Sequence, residues 1–375
     1  MTQGQDKLGV INGLRGVAIL GVIHHHYFRN YTPPGLWAVE WGPLRVSPMA
    51  YFSNGWLGVN LFFILSGLVL FLPYCQGRRS LETRAELWEY YRRRWARLMP
   101  FYYLSLLVAV AFFRPPVAVD PVAMLTDALI MATATFNLFD YLYYPPWNWV
   151  LWSLGIEIWF SVLFPALVVA VRRWGIARLV VATIVFSLVI RFVGVVLEPN
   201  PTGYPYRNYI KDSLAGRLDD FVLGMAIAHA YVHRARVGQA VARALVVVGA
   251  VLIWIACVLW DSAYLGTLAR GYTPFINWVM DAGAVALTYG MLCLDGGVVK
   301  RLFSTAALQI PGMMCYSLYV WHGIVLQKVV GSTKNFDPLH LATALALTAL
   351  LSLVTYRYVE FGRVREGRSL FRTAP

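Results

Sequence analysis

Charged residues are scarce in this chain. Asp, Glu, Lys and Arg make up 14% of its 375 residues, whereas hydrophobic residues make up 59%. Because soluble globular domains carry about 25% charged residues, this composition excludes that class and indicates an integral membrane protein. Segments of about ten residues with alternating apolar and polar positions, typical of membrane β-barrels, are also missing. The spans are therefore predicted to be helices.

Cysteine is equally rare, and the common motifs for metal or nucleotide binding are missing. The four cysteines lie far apart without C-x-x-C spacing, so the sequence predicts no cysteine metal site and suggests no disulfide (Cys75, Cys257, Cys293 and Cys315). No G-x-G-x-x-G loop is present. The first apolar stretch contains Arg15 and lacks both a strong basic leader and a small-residue cleavage site. We therefore expect a first membrane helix there rather than a cleaved signal peptide.

Long apolar runs dominate what is present. We predict ten membrane-spanning helices, since a span needs roughly 18 or more apolar residues. Residues 122–139 are apolar but short, and they include Asp127 and Asn137, so we predict a re-entrant or interfacial helix there. The expected fold is an all-α polytopic bundle that forms one membrane domain over residues 1–375, with no appended soluble domain. The predicted spans are residues 10–28, 56–73, 98–113, 150–171, 179–197, 213–232, 243–260, 275–293, 305–327 and 339–359.

The positive charge of the chain predicts its orientation. The net charge is +13, but in a membrane protein the distribution of Lys and Arg decides which loops face the cytoplasm. With both termini cytoplasmic, most of the 32 Lys and Arg residues fall on the inner side. Counting residues 122–139 as a full crossing would turn the later basic loops outward. We therefore predict a multi-pass protein of the cytoplasmic membrane with both termini inside and no nucleic-acid partner.

Two predicted outer loops, residues 29–55 and 140–149, are rich in aromatic side chains and proline. This composition suits stacking on the face of a sugar. An interfacial belt of Trp and Tyr has the same composition, and both interpretations stay open at this point. The aromatic residues are Tyr31, Trp37, Trp41, Tyr51, Tyr141, Tyr143, Tyr144, Trp147 and Trp149.

Three consecutive histidines end the first apolar run, in the segment ILGVIHHHYFRN. At about 100° per residue, Arg15 and His26 lie within about 20° of one face of a helix, separated by about 16 Å along its axis. His25 lies about 80° from that line and His24 on its opposite side, so the three rings cannot bind one metal ion from a helix. We predict no metal site here. Because ionisable groups in a span usually face the bundle interior, Arg15 and His26 indicate a polar seam.

Further polar residues are predicted near the outer ends of two other spans. Glu157 lies there, with Trp152 and Ser153 on the same helix, and His322 follows Trp321 on a later helix. A carboxylate beside a histidine can orient the imidazole and stabilise its charged form, as general-base catalysis requires. The alternative for Glu157 is a buried, hydrogen-bonded carboxylate that joins two helices.

The segment EYYRRRWARLMP places Arg94 and Arg97 three residues apart, on one face at the cytoplasmic start of a span. Paired guanidinium groups bind phosphate in a bidentate manner. Arginines that extend to the cytoplasmic surface would look similar, and we prefer that interpretation for Arg92 and Arg93.

Five segments, in order over nearly the whole chain, give it a resemblance to the acyltransferase family 3 membrane proteins. They are INGLRGVAILGVIHHH, GWLGVNLFFILSGLVL, RRWARLMP, WSLGIEIWFSVLFP and YSLYVWHGIV. Arg15 and His26 match the family's Arg/His pair, and Arg94 and Arg97 match its Arg-x-x-Arg pair. Glu157 matches the acidic residue of the Trp-Ser-Leu block, although Ile158 follows it where the family more often has a second acidic or amide residue.

The resemblance implies transfer of an acyl group, commonly acetyl, from acyl-coenzyme A to a hydroxyl of a carbohydrate. We expect Arg94 and Arg97 to bind the phosphates of the coenzyme and His26 to act as general base. Glu157 and Arg15 would assist, and Trp152, Ser153, Trp321 and His322 would contact or support the acceptor. The expected partners are membrane lipid, a surface polysaccharide, lipid-linked saccharide or glycolipid, and separate glycan-synthesis machinery.

Two other classes of function remain as alternatives. A proton-coupled transporter would also need buried ionisable residues, and its relay would include Arg191, Arg217, Asp219 and Asp220. However, Arg217 with Asp220, and Arg357 with Glu360, have the three-residue spacing of helix ion pairs, and no inverted repeat is visible. A scaffold or sensor is the third class, but such a protein has little reason to bury histidine, glutamate and arginine together.

Overall fold

The computed structural model describes residues 3–113, 120–145, 148–197, 208–233, 237–330 and 337–360. The chain forms two compact units, one of residues 1–80 and 166–313, the other of residues 81–165 and 314–375. The helices in chain order are α1 (Gln3–Phe28), α2 (Ala50–Ser53), α3 (Gly58–Cys75), α4 (Arg84–Phe113), α5 (Pro121–Ala132), α6 (Leu151–Trp174), α7 (Ile176–Leu197), α8 (Leu218–His233), α9 (Gln239–Tyr264), α10 (Thr273–Cys293), α11 (Val298–Phe303), α12 (Ala306–Met313), α13 (Cys315–Val329) and α14 (Pro338–Thr355).

Seven helices in the described part of the chain are long and apolar enough to cross a membrane, which confirms a helical, multi-pass membrane protein. Three predicted spans, residues 10–28, 213–232 and 305–327, are not among the seven. Asn12, Arg15 and the histidines lower the hydropathy of α1, while α8 has only 16 residues. The seven segments are Gly55–Cys75, Arg84–Phe112, Leu151–Trp174, Ile176–Leu197, Gln239–Tyr264, Thr273–Cys293 and Pro338–Glu360.

The predicted span 305–327 is not one continuous helix. It is divided at Met314 into α12 and α13, and the two helices belong to different compact units. Pro311 and Gly312 lie in the last turn of α12. A Cβ atom on Gly312 would overlap the Asn12 carbonyl oxygen of α1, so the absence of a side chain lets α12 pack directly against α1. The apolar pattern of the sequence did not predict this break because α12 and α13 are both hydrophobic.

Helix α4 begins at Arg84, fourteen residues before the predicted start of this span at residue 98. Arg, Glu and Leu favour helix, and Glu89 pairs with Arg92 at 2.8 Å and Arg93 at 3.1 Å within the early turns. The basic run is therefore part of the helix rather than its flank. As a consequence, Arg94 lies about 15 Å from the helix start, given a rise of about 1.5 Å per residue.

A short β-hairpin precedes α3, and a short helix, α5, follows α4 in the chain. Strands β1 (Val39–Trp41) and β2 (Leu44–Val46) form an antiparallel hairpin that the sequence did not predict, with Val39 opposite Val46. Its turn contains Gly42 at a φ of 58°, a conformation that favours glycine. Helix α5 has 12 residues and is too short for a crossing, as expected for the segment 122–139.

Glycine allows α3 and α8 to approach closely inside the first unit. A Cβ atom on Gly67 would overlap the Phe221 carbonyl oxygen, and one on Gly224 would overlap that of Ile64. The two backbones are therefore in direct contact over about one turn of each helix. Close approach of backbones through small residues is a common mode of helix packing in membranes.

Replacing Gly67 with alanine is expected to lower the free energy of unfolding by about 1–3 kcal/mol, because the added methyl group must push two backbones apart. The thermal midpoint of the purified protein in detergent measures this change. Gly296→Ala is the matched control, since this exposed glycine has no atom within 4 Å of the added carbon. Equal midpoints for the two variants would contradict the packing argument.

Candidate active site

Helix α1 carries the histidines at its end, in the first unit. The helix is continuous from Gln3 to Phe28, so Arg15 and His26 share one face, as the 100° periodicity predicts, and both are partly exposed. The Nδ1 atom of His24 lies 3.4 Å from the Phe52 carbonyl oxygen, and that of His25 lies 2.6 Å from the Ser53 carbonyl oxygen. These rings therefore face backbone carbonyls and are not arranged around a shared metal ion.

The first unit contains one group of carboxylates, among the described residues, that is close enough to bind a metal ion: Asp219, Asp220 and Asp281. A guanidinium group already lies among them, because Nη2 of Arg191 is 2.6 Å from Asp219, 3.2 Å from Asp220 and 4.0 Å from Asp281. Arg217 pairs with Asp220 at 3.6 Å, as its three-residue spacing predicts. We interpret this buried network as the ionic connection between α7, α8 and α10 rather than a metal site.

Arg94 of α4 contacts α6 in the second unit. Its Nη2 lies 3.5 Å from a carboxylate oxygen of Glu157 and donates to the Ser161 hydroxyl at 2.7 Å. Ser161 in turn donates to the Glu157 carbonyl oxygen at 2.8 Å, one helical turn earlier. The side chains of Arg94 and Glu157 are 14% and 27% exposed, so the pair is still open to a ligand. Glu157 thus lies beside a predicted phosphate-binding residue.

Arg97 is exposed one turn further along the same face of α4. It lies within electrostatic range of Glu360 and Tyr316. Glu360 ends a single π-helical turn, Tyr356–Glu360, and accepts a hydrogen bond from the Ser317 hydroxyl.

The ion pair predicted between Arg357 and Glu360 is not found in the described part of the chain. The Arg357 guanidinium instead lies 5.8 Å from the centre of the Tyr358 ring, because the π turn changes the helical register on which the three-residue spacing depends. Of the two candidate phosphate-binding arginines, Arg94 therefore contacts a carboxylate, that of Glu157.

A cavity of about 490 Å³ lies beside Arg94 within the second unit. Its volume is typical of small-molecule sites, which are mostly apolar with a few polar groups. The wall is formed by α4 and α6, with Arg92, Arg94 and Ser161 as polar groups among aromatic and aliphatic side chains. The main apolar contributors are Trp88, Tyr91, Trp95, Met99, Ile158 and Val162.

Four predicted acceptor-site or supporting residues lie in the core of the second unit. Trp152, Ser153, Trp321 and His322 are 8%, 6%, 4% and 0% exposed. Ser153 donates to the Tyr319 hydroxyl at 2.8 Å, Trp321 donates to Thr355 at 3.0 Å, and Nδ1 of His322 lies 3.2 Å from the Leu318 carbonyl oxygen. Their burial favours a supporting role, because a buried side chain has little surface for direct contact with a glycan.

The aromatic residues of the two loops that were predicted to be outer have a different environment from these buried residues. Trp37 and Trp41 are 71% and 75% exposed in the first unit, and Tyr141 is 63% exposed in the second. The Tyr141 hydroxyl donates to Asp127 at 2.9 Å, and this bond to a carboxylate raises the pKa of the phenol. Trp147 lies outside the described residues. Exposure fits both sugar stacking and an interfacial belt.

Comparison with protein families identifies the chain. The family model described as an acyltransferase domain, family 3, matches residues 8–357. The chain belongs to this acyltransferase family. The resemblance carried by the five sequence segments is thereby confirmed, and the seven apolar helices found among the described residues agree with a membrane protein.

The chain is similar to several bacterial proteins over nearly its full length. It is 24% identical to the putative peptidoglycan O-acetyltransferase YrhL of Bacillus subtilis, over 96% of this chain and 55% of that protein. It is 23% identical to the O-acetyltransferase OatA of Staphylococcus aureus (97% and 58%) and 24% identical to the peptidoglycan O-acetyltransferase OatA of Listeria monocytogenes (93% and 54%). The chain thus spans about half the length of these curated relatives. No solved structure matches it.

Two residues near the candidate sites had no site role in the sequence analysis. They are Glu360, which was predicted only to pair with Arg357, and Asp261, which accepts hydrogen bonds from the segment that faces the histidines. Asp261 and Glu360 each directly follow a long apolar run, and these runs were predicted to end at residues 260 and 359. An acidic residue at the end of such a run was therefore an available signal, because burying it requires a partner.

Proposed function

We propose that this protein is a membrane O-acyltransferase that moves an acetyl group from acetyl-coenzyme A to a hydroxyl of a cell-envelope carbohydrate. The observation that carries the donor assignment is the placement of Arg94 and Arg97 on one face of α4, with Arg94 lining a cavity of about 490 Å³. The names of the relatives support acetyl as the acyl group and peptidoglycan as one acceptor class. Lipid-linked saccharides and glycolipids carry similar hydroxyls.

The proposed donor site uses the arginines and their carboxylate partners. Guanidinium groups bind phosphate oxygens with paired hydrogen bonds. Glu157 holds Arg94 before the coenzyme binds, and Ser161 fixes the direction of the same guanidinium. The contact with Arg94 supports a role for Glu157 as a positioning residue of the donor site.

The proposed reaction uses His26 as the general base. Its imidazole takes the proton of the acceptor hydroxyl while that oxygen attacks the thioester carbonyl carbon. The carbon–sulfur bond then breaks, and the imidazolium returns the proton to the coenzyme thiolate, so one ester and one thiol are formed. Arg15 lies on the same face of α1 as His26. We propose that it pairs with a phosphate of the donor or with a nearby carboxylate.

The proposal includes the topology predicted from the sequence. Ten crossings with both termini in the cytoplasm would present the donor site to cytoplasmic acetyl-coenzyme A, and the protein would reside in the cytoplasmic membrane as one catalytic domain. It would act with separate glycan-synthesis machinery that supplies the acceptor.

The decisive experiment measures release of free coenzyme A thiol by the purified protein in lipid nanodiscs. Acetyl-coenzyme A is the donor, and soluble peptidoglycan fragments or a surface polysaccharide serve as acceptor. We expect thiol release that depends on the acceptor, together with a mass increase of one acetyl group on the glycan. Solute uptake without thiol release would instead favour the proton-coupled transporter.

Replacing Arg97 with alanine is expected to raise KM for acetyl-coenzyme A by about 10- to 100-fold, because a hydrogen bond to a charged group contributes about 1.5–3 kcal/mol. Arg93→Ala is the matched control, since Arg93 pairs only with Glu89 among the ion pairs of the described residues.

A donor that lacks the 3′-phosphate of the coenzyme adds a second test of the role of Arg97. If Arg97 binds that phosphate, wild type loses affinity for the shortened donor and the variant does not. If an equal loss appears in both proteins, Arg97 does not bind that phosphate, and a normal KM in the variant would exclude it from the donor site.

A further inference from the structure

The three histidines at the end of α1 have different surroundings. His24 is partly exposed, and its Nδ1 is 3.4 Å from the Phe52 carbonyl oxygen, beyond the usual range of about 2.7–3.2 Å for such a hydrogen bond. His25 is 7% exposed, and its Nδ1 is only 2.6 Å from the Ser53 carbonyl oxygen. His25 is therefore the more firmly anchored of the two.

The Ser53 carbonyl defines the tautomer of His25. A carbonyl oxygen only accepts hydrogen bonds, so the Nδ1 atom of His25 must carry the hydrogen. In the neutral ring, Nε2 then has the lone pair, and the direction of the imidazole is determined by a backbone atom. The position of this backbone atom depends on what holds α2.

A buried carboxylate, Asp261 of α9, holds the end of α2. The Ser53 hydroxyl donates to both its oxygens at 2.9 and 3.0 Å, and the Asn54 amide donates to one of them at 2.6 Å. The backbone N–H of Gly35 donates to it at 3.1 Å. Two other segments of the first unit therefore converge on this fully buried side chain of α9. We call these residues, Gly35, Ser53, Asn54 and Asp261, the Asp261 clamp.

The backbone of α1 is fixed against the same segment. A Cβ atom on Gly55 would overlap the Gly21 carbonyl oxygen, and one on Gly58 would lie 2.8 Å from the Ala18 carbonyl oxygen. The helix that carries the histidines and the turn that carries the Ser53 carbonyl are thus in backbone contact one to two turns before His25. This contact prevents sliding between the donor and acceptor of the His25 hydrogen bond.

The anchored ring of His25 lies against His26. Their ring centres are 4.9 Å apart and their planes make an angle of 74°, the edge-to-face arrangement that aromatic rings prefer. A shift or rotation of the His25 ring would therefore change the space available to His26. Because proton transfer needs the base within hydrogen-bond reach of its substrate, a small displacement of His26 would reduce turnover.

We propose that His25 is a positioning residue for His26, and that the Asp261 clamp holds the peptide to which His25 is anchored. This inference rests on the proposed function, in which His26 is the general base. His25 does not touch the substrate in this scheme. It fixes the imidazole beside it by combining one hydrogen bond to the backbone with one ring contact.

Substitutions that differ only in the placement of a hydrogen-bond donor test the proposal. The amide nitrogen of asparagine occupies the place of Nδ1 in histidine, whereas that of glutamine occupies the place of Nε2. We expect His25→Ala and His25→Gln to lower kcat by about 10- to 100-fold with KM for acetyl-coenzyme A changed by less than about twofold. His25→Asn keeps the bond to Ser53 and should recover most of the lost kcat. His24→Asn is the matched control and should behave like wild type.

The outcomes separate the positioning role from the proposed function, with turnover measured using acetyl-coenzyme A and soluble peptidoglycan fragments. If His26→Ala is inactive while His25→Ala has normal kcat, the positioning role is overturned and the base assignment stands. Equal kcat in the asparagine and glutamine variants of His25 would also overturn it. If His26→Ala retains turnover, the base assignment fails and the positioning role fails with it.

Nitrogen NMR of the wild-type protein provides a readout that does not depend on the folding of any variant. The chain has seven histidines, and the chemical shifts of ¹⁵N-labelled imidazole rings distinguish the two neutral tautomers. We expect a His25 signal in the Nδ1–H form at neutral pH. Assignment of that ring to the Nε2–H form would overturn the proposal.

Discussion

Replacement of His26 with alanine is expected to lower kcat by about 10²- to 10⁴-fold, which is the usual contribution of a positioned general base. The proposed reaction requires a base because a sugar hydroxyl is a poor nucleophile while it keeps its proton. His26 is partly exposed and therefore accessible to substrate, whereas His25 is buried. The measurement is acceptor-dependent thiol release from acetyl-coenzyme A.

Binding of the donor should survive this substitution, since Arg94 and Arg97 are unchanged. KM for acetyl-coenzyme A and the thermal midpoint are therefore expected to stay close to the wild-type values, which separates a loss of chemistry from a loss of folding. His24→Ala, at the same helix end, serves as control and should retain turnover. A His26→Ala protein that still transfers acetyl groups would show that another residue is the base.

Replacement of Arg191 with methionine is expected to have the largest effect on stability, about 3–5 kcal/mol, as measured when one partner of a buried ion pair is removed. The guanidinium lies within 4.0 Å of three buried carboxylates and donates to the Gly216 carbonyl oxygen at 2.7 Å. Methionine has a similar volume and no charge. The aspartates would then be left buried with less compensating charge, so the folded state would lose free energy relative to the unfolded state.

Thermal melting and denaturant titration in detergent measure the effect of the Arg191 substitution. Arg45→Met is the matched control, because Arg45 pairs with Glu40 at 3.0 Å while both side chains are exposed by 37% and 68%. Exposed pairs contribute about 0–1 kcal/mol. A similar small loss in both variants would indicate that the buried network does not join α7, α8 and α10 as described.

Features that depend on one helix were predictable from the sequence. The shared face of Arg15 and His26 follows from 100° per residue and holds in the continuous helix α1. Residues 122–139 were predicted not to cross the membrane, and the helix found there, α5, has only 12 residues. The ion pair of Arg217 with Asp220 also follows from local spacing.

Features that depend on packing between distant segments were not predictable. Arg94 meets Glu157 across 63 positions, and Asn54 meets Asp261 across 207. Hydrophobic periodicity does not determine which helices become neighbours, so the contact of Glu157 with Arg94 was not predicted. The start of α4 at Arg84 was not predicted either. The apolar pattern marks only the membrane span, and the basic run before that span continues the same helix.

The packing of α1 against residues near position 300 has a consequence for biosynthesis. Cβ atoms on Gly13 and Gly16 would overlap the carbonyl oxygens of Phe303 and Leu308, so α1 obtains these neighbours only after the ribosome has added almost 300 residues. At a synthesis rate of about 5–20 residues per second, Phe303 and Leu308 are added roughly 15–60 s after α1. During that interval the face of α1 that carries Gly13 and Gly16 lacks its final partners, whereas the histidine end already has the Phe52–Ser53 segment as a neighbour. A chain truncated before residue 303 is therefore expected to be incompletely packed along the first half of α1.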